Sequence, residues 1–402
     1  MISQVNMQLS DRILNMSESA TLKMSQLARE LRADGHDVIS LSIGEPDFDT
    51  PIHIKEAAIK ALHDGFTKYT PVPGLPQLRT AISNKFKRDN NLDYGIDQIV
   101  VSNGAKQSIA NLCLALLNEG DEVILFAPFW VSYIEIVKMA GGVPVLLKAG
   151  IEKDFKVDAE QLKEAITDRT KMIIFSSPCN PTGSVYLHDE LKAIAQVVDA
   201  HPQITIVSDE IYEFINFTQN HASIGTFPEV KDQTVTVNGM SKGFAMTGWR
   251  LGYMGAPKWI AKACTKIQGQ FTSGATAFGQ MAAAHALNTD LQHTYEMCDV
   301  FQRRRDLVIG LLKEIPGFKV NHPLGAFYSF PDVSAYFGKS FENYTIENSD
   351  DLAMYLLQKA HVALVAGSAF GDDNCIRISY AASDEQLIEA IKRVKEAVAL
   401  LK

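Results

Sequence analysis

Six short apolar runs, set apart by helical patterns, constrain this chain more than any other feature. They are "QIVVSNG" (98–104), "EVILFAP" (122–128), "VPVLL" (143–147), "KMIIFSS" (171–177), "ITIVSDE" (204–210) and "TVTVNG" (234–239). Their cores are apolar throughout rather than alternating, which suits strands covered on both faces. After the first run, Ile109, Leu112, Cys113, Leu116 and Leu117 fall on one stripe at helical spacing, and this predicts a helix that stops near Gly120. Strands alternating with helices imply a three-layer α/β/α fold around a mostly parallel sheet with right-handed connections.

At 402 residues the chain is long for a single core, and its pattern changes near residue 290. "QHTYEMCDVFQRRRDLVIGLLKEI" predicts one long helix, "GAFYSFPD", "VALVAGSAF" and "CIRISYA" short strands, and "DEQLIEAIKRVKEAVALL" an amphipathic closing helix. The expected division is a large α/β domain over 46–290. Residues 1–45 with 291–402 then form an N-terminal arm and a smaller α+β domain.

Several classes are disfavoured. A net charge of −9 argues against a nucleic-acid surface. No apolar run approaches the roughly 18–20 residues of a membrane span. The stretch "MISQVNMQLSDRILNMSES" (1–19) lacks the basic region and apolar core of a secretory signal. Five scattered cysteines with no CxxC pair read as reduced thiols of a cytoplasmic protein, and Cys179 reads as a small filler residue. None of the ten histidines has ligand-like spacing, so no metal is expected.

In an open α/β sheet, ligands bind beyond the carboxyl ends of the strands. Those ends deliver Gly104-Ala105-Lys106 opening a helix, Trp130, Asn180 in "PCNPTG", Asp209 and Tyr212 in "DEIY", and Ser241-Lys242. A helix N-terminus and the fork of Arg250 suit a phosphate. An indole stacks on a flat ring. A carboxylate keeps a ring nitrogen protonated, and a lysine amine condenses with an aldehyde. The ligand so described is pyridoxal 5′-phosphate (PLP).

"NPTG", "SDEIY" and "SKGFAMTGWR", in that order, resemble the class I/II aminotransferases of fold type I. "SIGEPDFDTP" (42–51), "TKYTPVPGLPQLR" (67–79), "GAKQ" (104–107), "PFWVSY" (128–133), "GAFY" (325–328) and "RISYA" (377–381) narrow the resemblance to the aspartate/prephenate branch, over essentially the whole chain. The resemblance implies that Lys242 bonds the PLP aldehyde and then moves the substrate proton, and that Asp209 pairs with the ring nitrogen. It implies that Tyr212 and Asn180 bond the ring oxygen and that Trp130 stacks on the ring. Gly104, Ala105, Lys106, Ser241 and Arg250 would surround the phosphate, with Tyr69 contributed by a partner subunit in a homodimer with shared active sites. Arg377 would clamp the substrate α-carboxylate, against the backbone of Gly44. One departure is Gly239, where many relatives carry a serine three residues before the lysine.

Plainer readings exist for each residue. Lys242 could be a solvated surface lysine, Asp209 a helix cap, and "NPTG" a turn. Trp130 could be a core aromatic, and Tyr133 is read as one. Arg377, inside a β-branched strand, needs an anionic partner, either substrate or a structural acid. The run Arg303-Arg304-Arg305 reads as a solvated helix face with partial pairing.

An arginine clamp on the α-carboxylate leaves Cα–H as the bond to break, which disfavours decarboxylation and makes transamination the leading reaction. By the resemblance, Lys106 and Thr21 recognise an acidic side chain. The expected substrates are therefore amino acids and 2-oxo acids, with L-aspartate giving its amino group to 2-oxoglutarate in ping-pong fashion. The alternatives are an aromatic, prephenate-type or broad-range aminotransferase, a PLP-dependent carbon–sulfur lyase, and a regulator on the same fold. The last would need a basic DNA-binding module, and none precedes residue 45.

Overall fold

A computed structural model describes residues 9–218 and 220–402. The first eight residues of the stretch read as lacking a signal, and of the expected arm, lie outside the described residues.

Seven strands form the central sheet: β1 (Ile99–Ser102), β2 (Glu122–Ala127), β3 (Val143–Lys148), β4 (Thr170–Ser176), β5 (Thr205–Asp209), β6 (Thr234–Gly239) and β7 (Gly252–Gly255). Their order across the sheet is β1-β7-β6-β5-β4-β2-β3. All neighbours pair parallel except β7, which runs against both β1 and β6. β2 and β6 are buried along their whole length, whereas the edge strand β3 is partly open. Seven helices matter below: α1 (Ala20–Ala33), α2 (Pro76–Asn90), α3 (Ala105–Leu116), α4 (Ser132–Met139), α5 (Gln292–Lys313), α6 (Ser349–Lys359) and α7 (Asp384–Val398). The stripe read from the sequence is real: Ile109, Leu112 and Cys113 on α3 pack onto Val100, Val123 and Val235 of the sheet.

The six expected strands are present, and β7 is the addition. "GYMG" offers no β-branched run, so period and propensity pass it over. Its value lies in Gly252, which pairs with Ser102 on one side and Gly239 on the other. A Cβ on Gly252 would lie 2.2 Å from Ala105 N. The absence of a side chain therefore lets the start of α3 rest directly on the sheet. Gly239 is confined likewise, since a Cβ there would meet Leu251 O at 2.9 Å and Gly252 Cα at 3.0 Å. A serine at 239 does not fit this backbone without a shift.

Beyond residue 290, α5, α6 and α7 close over the short strands β8 (Tyr328–Ser329), β9 (Val365–Ala366) and β10 (Ile376–Ser379), which pair antiparallel in the order β9-β10-β8. Ile39 and Leu41 pack into the same core as Phe301, Leu356 and Leu387. The arginine run departs from expectation. Arg303 is exposed and paired with Asp384, but Arg304 and Arg305 are buried. Arg304 bonds Asp47 at 2.7 Å over the Phe48 ring, and Arg305 donates to Pro323 O at 2.8 Å over the Phe217 ring. Asp47 lies 257 residues from Arg304 and Pro323 accepts through its backbone, so charge patterning alone could not reveal either partner.

Candidate active site

A cavity of about 550 Å³ opens at the carboxyl edge of the sheet. Strand ends supply its floor: Ser176 from β4, Asp209 from β5, and Ser241 and Lys242 just past β6. Thr21 on α1 and Gly44 reach it from the arm, while Tyr328 and Arg377 reach it from β8 and β10. Thr21, Gly44, Ala105, Lys106, Trp130, Asn180, Asp209, Tyr212, Ser241, Lys242, Arg250 and Arg377 all lie on its wall. Gly104 lies just behind it, under Arg250. Tyr69 stands apart, 100% exposed.

One end is built for an anion. Gly104 precedes α3 with φ +84°, and a Cβ there would sit 2.4 Å from Arg250 Nη2. Only glycine combines that backbone angle with that close approach. The guanidinium, held by Thr247 O at 2.9 Å, therefore lies over the first turn of α3, where backbone N–H groups lack helical acceptors. Lys106 projects from the same turn, with Nζ 4.8 Å from the Trp130 ring centroid.

The floor carries the acid. Asp209 accepts a 2.6 Å hydrogen bond from Tyr133 Oη and a 3.3 Å bond from Ile211 N. Tyr133 on α4 is thus more than the core aromatic it was read as: it is fully buried, but its hydroxyl is aimed at the floor carboxylate. Its partner lies 76 residues away, so no local signal marked it. Its ring also braces Trp130 edge to face, 5.5 Å between centroids. Burial pushes Asp209 up to about 6, against the lowering effect of the Tyr133 bond.

Lys242 stands between the two ends. Its amine donates to Gly44 O and lies 5.7 Å from the Tyr212 ring centroid. Burial pulls the amine down to about 8; Glu45 opposes this, and the Arg377 and Arg250 charges add to it. Between about pH 8 and the ordinary 10.5 the unfolded chain binds the extra proton, so Lys242 makes folding more favourable as pH rises through that window. Asp209 behaves in the opposite sense. Its contribution is present below 3.8 and lost as pH rises through about 6. Since only the neutral amine attacks an aldehyde, capture of PLP by the cofactor-free protein is expected to quicken about tenfold per pH unit and level off near the Lys242 pKa. Stopped-flow absorbance checks this, and a rate still rising towards 10.5 would contradict it.

Arg377 closes the far wall. It is 2% exposed, donates to Asn180 Oδ1 at 2.9 Å and Ser42 O at 2.6 Å, and leaves Nε without a partner. No carboxylate among the described residues pairs with it. Tyr328, whose hydroxyl meets that of Tyr212 at 2.8 Å, lies under its guanidinium at 4.6 Å. Tyr328, Ser19, Leu22 and Glu45 join the wall without having been singled out, although Tyr328 closes the quoted "GAFY".

Anion cradle, aromatic plate, buried carboxylate and desolvated amine together fit PLP, and the N–H edge that Arg377 leaves unfilled fits the carboxylate of an amino acid. Known proteins agree. A family model described as "Aminotransferase class I and II" matches residues 36–394. The bifunctional aspartate aminotransferase and glutamate/aspartate-prephenate aminotransferase of Petunia hybrida is 47% identical, over 99% of this chain and 84% of its own. The aspartate aminotransferase structure from Rhizobium meliloti superposes with a TM-score of 0.95 at 41% identity, covering 98% of this chain and 100% of that one. The aspartate aminotransferase from Thermus thermophilus, solved with maleate, gives 0.91 at 40% identity over 97% and 100%. With the cavity, the fold and the aligned length all in accord, the chain belongs to the class I and II aminotransferases and is a PLP-dependent enzyme of fold type I.

Proposed function

We propose that this enzyme transfers the amino group of L-aspartate to 2-oxoglutarate. The observation that carries the reading is that two cationic side chains, Arg377 and Lys106, line the same cavity as Lys242, which suits a substrate with a second carboxylate. Relatives named for aspartate, one of them solved with a dicarboxylate, point the same way.

When bound, PLP supplies an aldehyde for the amino group and a protonated ring that takes up the electrons of a broken Cα–H bond. The chain does the rest. Lys242 holds the aldehyde end and, once freed, carries the proton from Cα. Asp209, ionised above about pH 6 even before cofactor binds, keeps the ring nitrogen protonated. Tyr133 supports it in that state. Tyr212 and Asn180 hold the ring oxygen, and Trp130 covers the ring face. Gly104, Ala105, Ser241, Arg250 and the backbone of Lys106, in the first turn of α3, hold the phosphate. Gly239 offers no side chain there. Arg377 orients the α-carboxylate beside Gly44, leaving Cα–H free to break. Lys106 and Thr21 meet the side-chain carboxylate.

We further infer a homodimer, supported by the full exposure of Tyr69, an aromatic suited to reach a partner's phosphate site. Residues 1–45 with 291–402 would form the arm and small domain beside 46–290; among the described residues this is supported by the core that joins Ile39 and Leu41 to α5, α6 and α7, which Ile211, Tyr212 and Ile215 also enter. No helix among the described residues is long and apolar enough to cross a membrane. The five free thiols favour the cytoplasm.

Two half-reactions test the assignment. Aspartate alone is expected to convert the bound cofactor and release oxaloacetate, and 2-oxoglutarate added afterwards to yield glutamate. Lys106→Ala is expected to raise KM for aspartate about tenfold, the loss of one charge-assisted hydrogen bond, while leaving aromatic amino acids nearly unaffected. A protein that ignores aspartate but accepts phenylalanine contradicts the assignment.

A further inference from the structure

Directly behind the cavity floor lies a buried charged cluster that the reaction does not touch. From the end of β5 into the following turn, Asp209, Ile211 and Tyr212 line the cavity, while Glu210 and Glu213 point into the protein, 1% and 6% exposed. Glu210 accepts from Ser208 Oγ at 3.0 Å and Ser223 Oγ at 2.6 Å, and meets His221 Nε2 at 2.9 Å. Glu213 accepts from Asn90 Nδ2 at 2.6 Å and is paired with Lys85 Nζ, which also bonds Asn90 Oδ1. Asn90 reaches Glu210 too, at 3.3 Å, so a single amide on α2 sets the spacing of both carboxylates. Lys85 is 0% exposed and held between the Phe86 and Phe214 rings, its Nζ 5.3 and 5.2 Å from their centroids.

Glu210, Glu213 and His221 bring ligand atoms within 4.8 Å of one another, close enough for a metal. Lys85 already pairs with Glu213 and His221 faces Glu210, so each carboxylate has its partner within the chain. A buried ion pair of this kind adds little stability over well-packed apolar residues, but it enforces one geometry. We propose that Lys85, Asn90, Glu210 and Glu213 are positioning residues that fix the 209–213 turn, and with it the aim of Asp209 and Tyr212 at the cofactor. The inference rests on the roles given above to those two residues.

The test uses Glu213→Gln, which removes one charge of the pair, and Asn90→Ala, which removes the bridge without changing charge. Both are expected to weaken PLP binding to the cofactor-free protein and to move the pH midpoint of the bound cofactor's absorbance. kcat should fall about 10- to 100-fold, the scale of a small misalignment, with KM for aspartate within about twofold. Variants that melt earlier yet, assayed below their melting point, keep wild-type PLP affinity and midpoint would overturn the proposal. If Glu213→Gln does not fold, Asn90→Ala carries the test alone. If the wild-type protein itself captures no PLP, the functional reading has failed and this inference falls with it.

Discussion

Lys242→Ala is expected to lower turnover of aspartate and 2-oxoglutarate by about 10⁵-fold or more, roughly 7 kcal/mol of transition-state stabilisation. Losing this amine removes two functions at once, the bond to the cofactor aldehyde and the carrier of the Cα proton. Neither Lys106 nor Arg250 can replace it, because one stacks over Trp130 and the other lies over Gly104. The fold itself should survive. The amine's one hydrogen bond is to Gly44 O at the cavity wall, and its charged form is disfavoured there, so alanine deletes a group that the folded chain tolerates rather than requires. A circular-dichroism melt within a few degrees of wild type beside a collapsed steady-state rate is the expected pair of results. Residual activity above a hundredth of wild type contradicts the role.

Arg377→Lys comes next in size, with kcat/KM expected to fall about 10²–10³-fold for every amino acid tried. The guanidinium already serves Asn180 and Ser42 while keeping further N–H donors, Nε among them, for the substrate. A lysine brings one point charge on a flexible stem and cannot hold those partners and a carboxylate together. The α-carboxylate is common to all substrates, so aspartate and aromatic amino acids should lose equally. This separates Arg377 from Lys106, whose loss should be selective. A panel of kcat/KM values decides it, and a loss confined to aspartate would assign Arg377 to the side chain instead.

The central sheet was legible because β2, β4, β5 and β6 are covered on both faces, and burial on both faces writes an unbroken apolar run into the sequence. Strand ends then gave away Asn180, Asp209 and Lys242, since topology alone brings such ends to one edge. What stayed hidden depends on partners far away in the chain. β7 is a strand because Gly252 lets α3 settle on it, which "GYMG" does not announce. Arg304 and Arg305 look like any solvated pair until Asp47 and Pro323 arrive. Tyr133 reads as a core ring and Lys85 carries no local signal, and only the folded chain brings them to Asp209 and Glu213.

One measurement reaches the centre of the account. Borohydride reduction of the PLP-loaded protein fixes the cofactor on whichever amine holds it, and peptide mass spectrometry then locates the added mass. The expected result is a single phosphopyridoxyl group on the peptide containing Lys242. A label on Lys106, or no label on a protein that still transaminates, would contradict it.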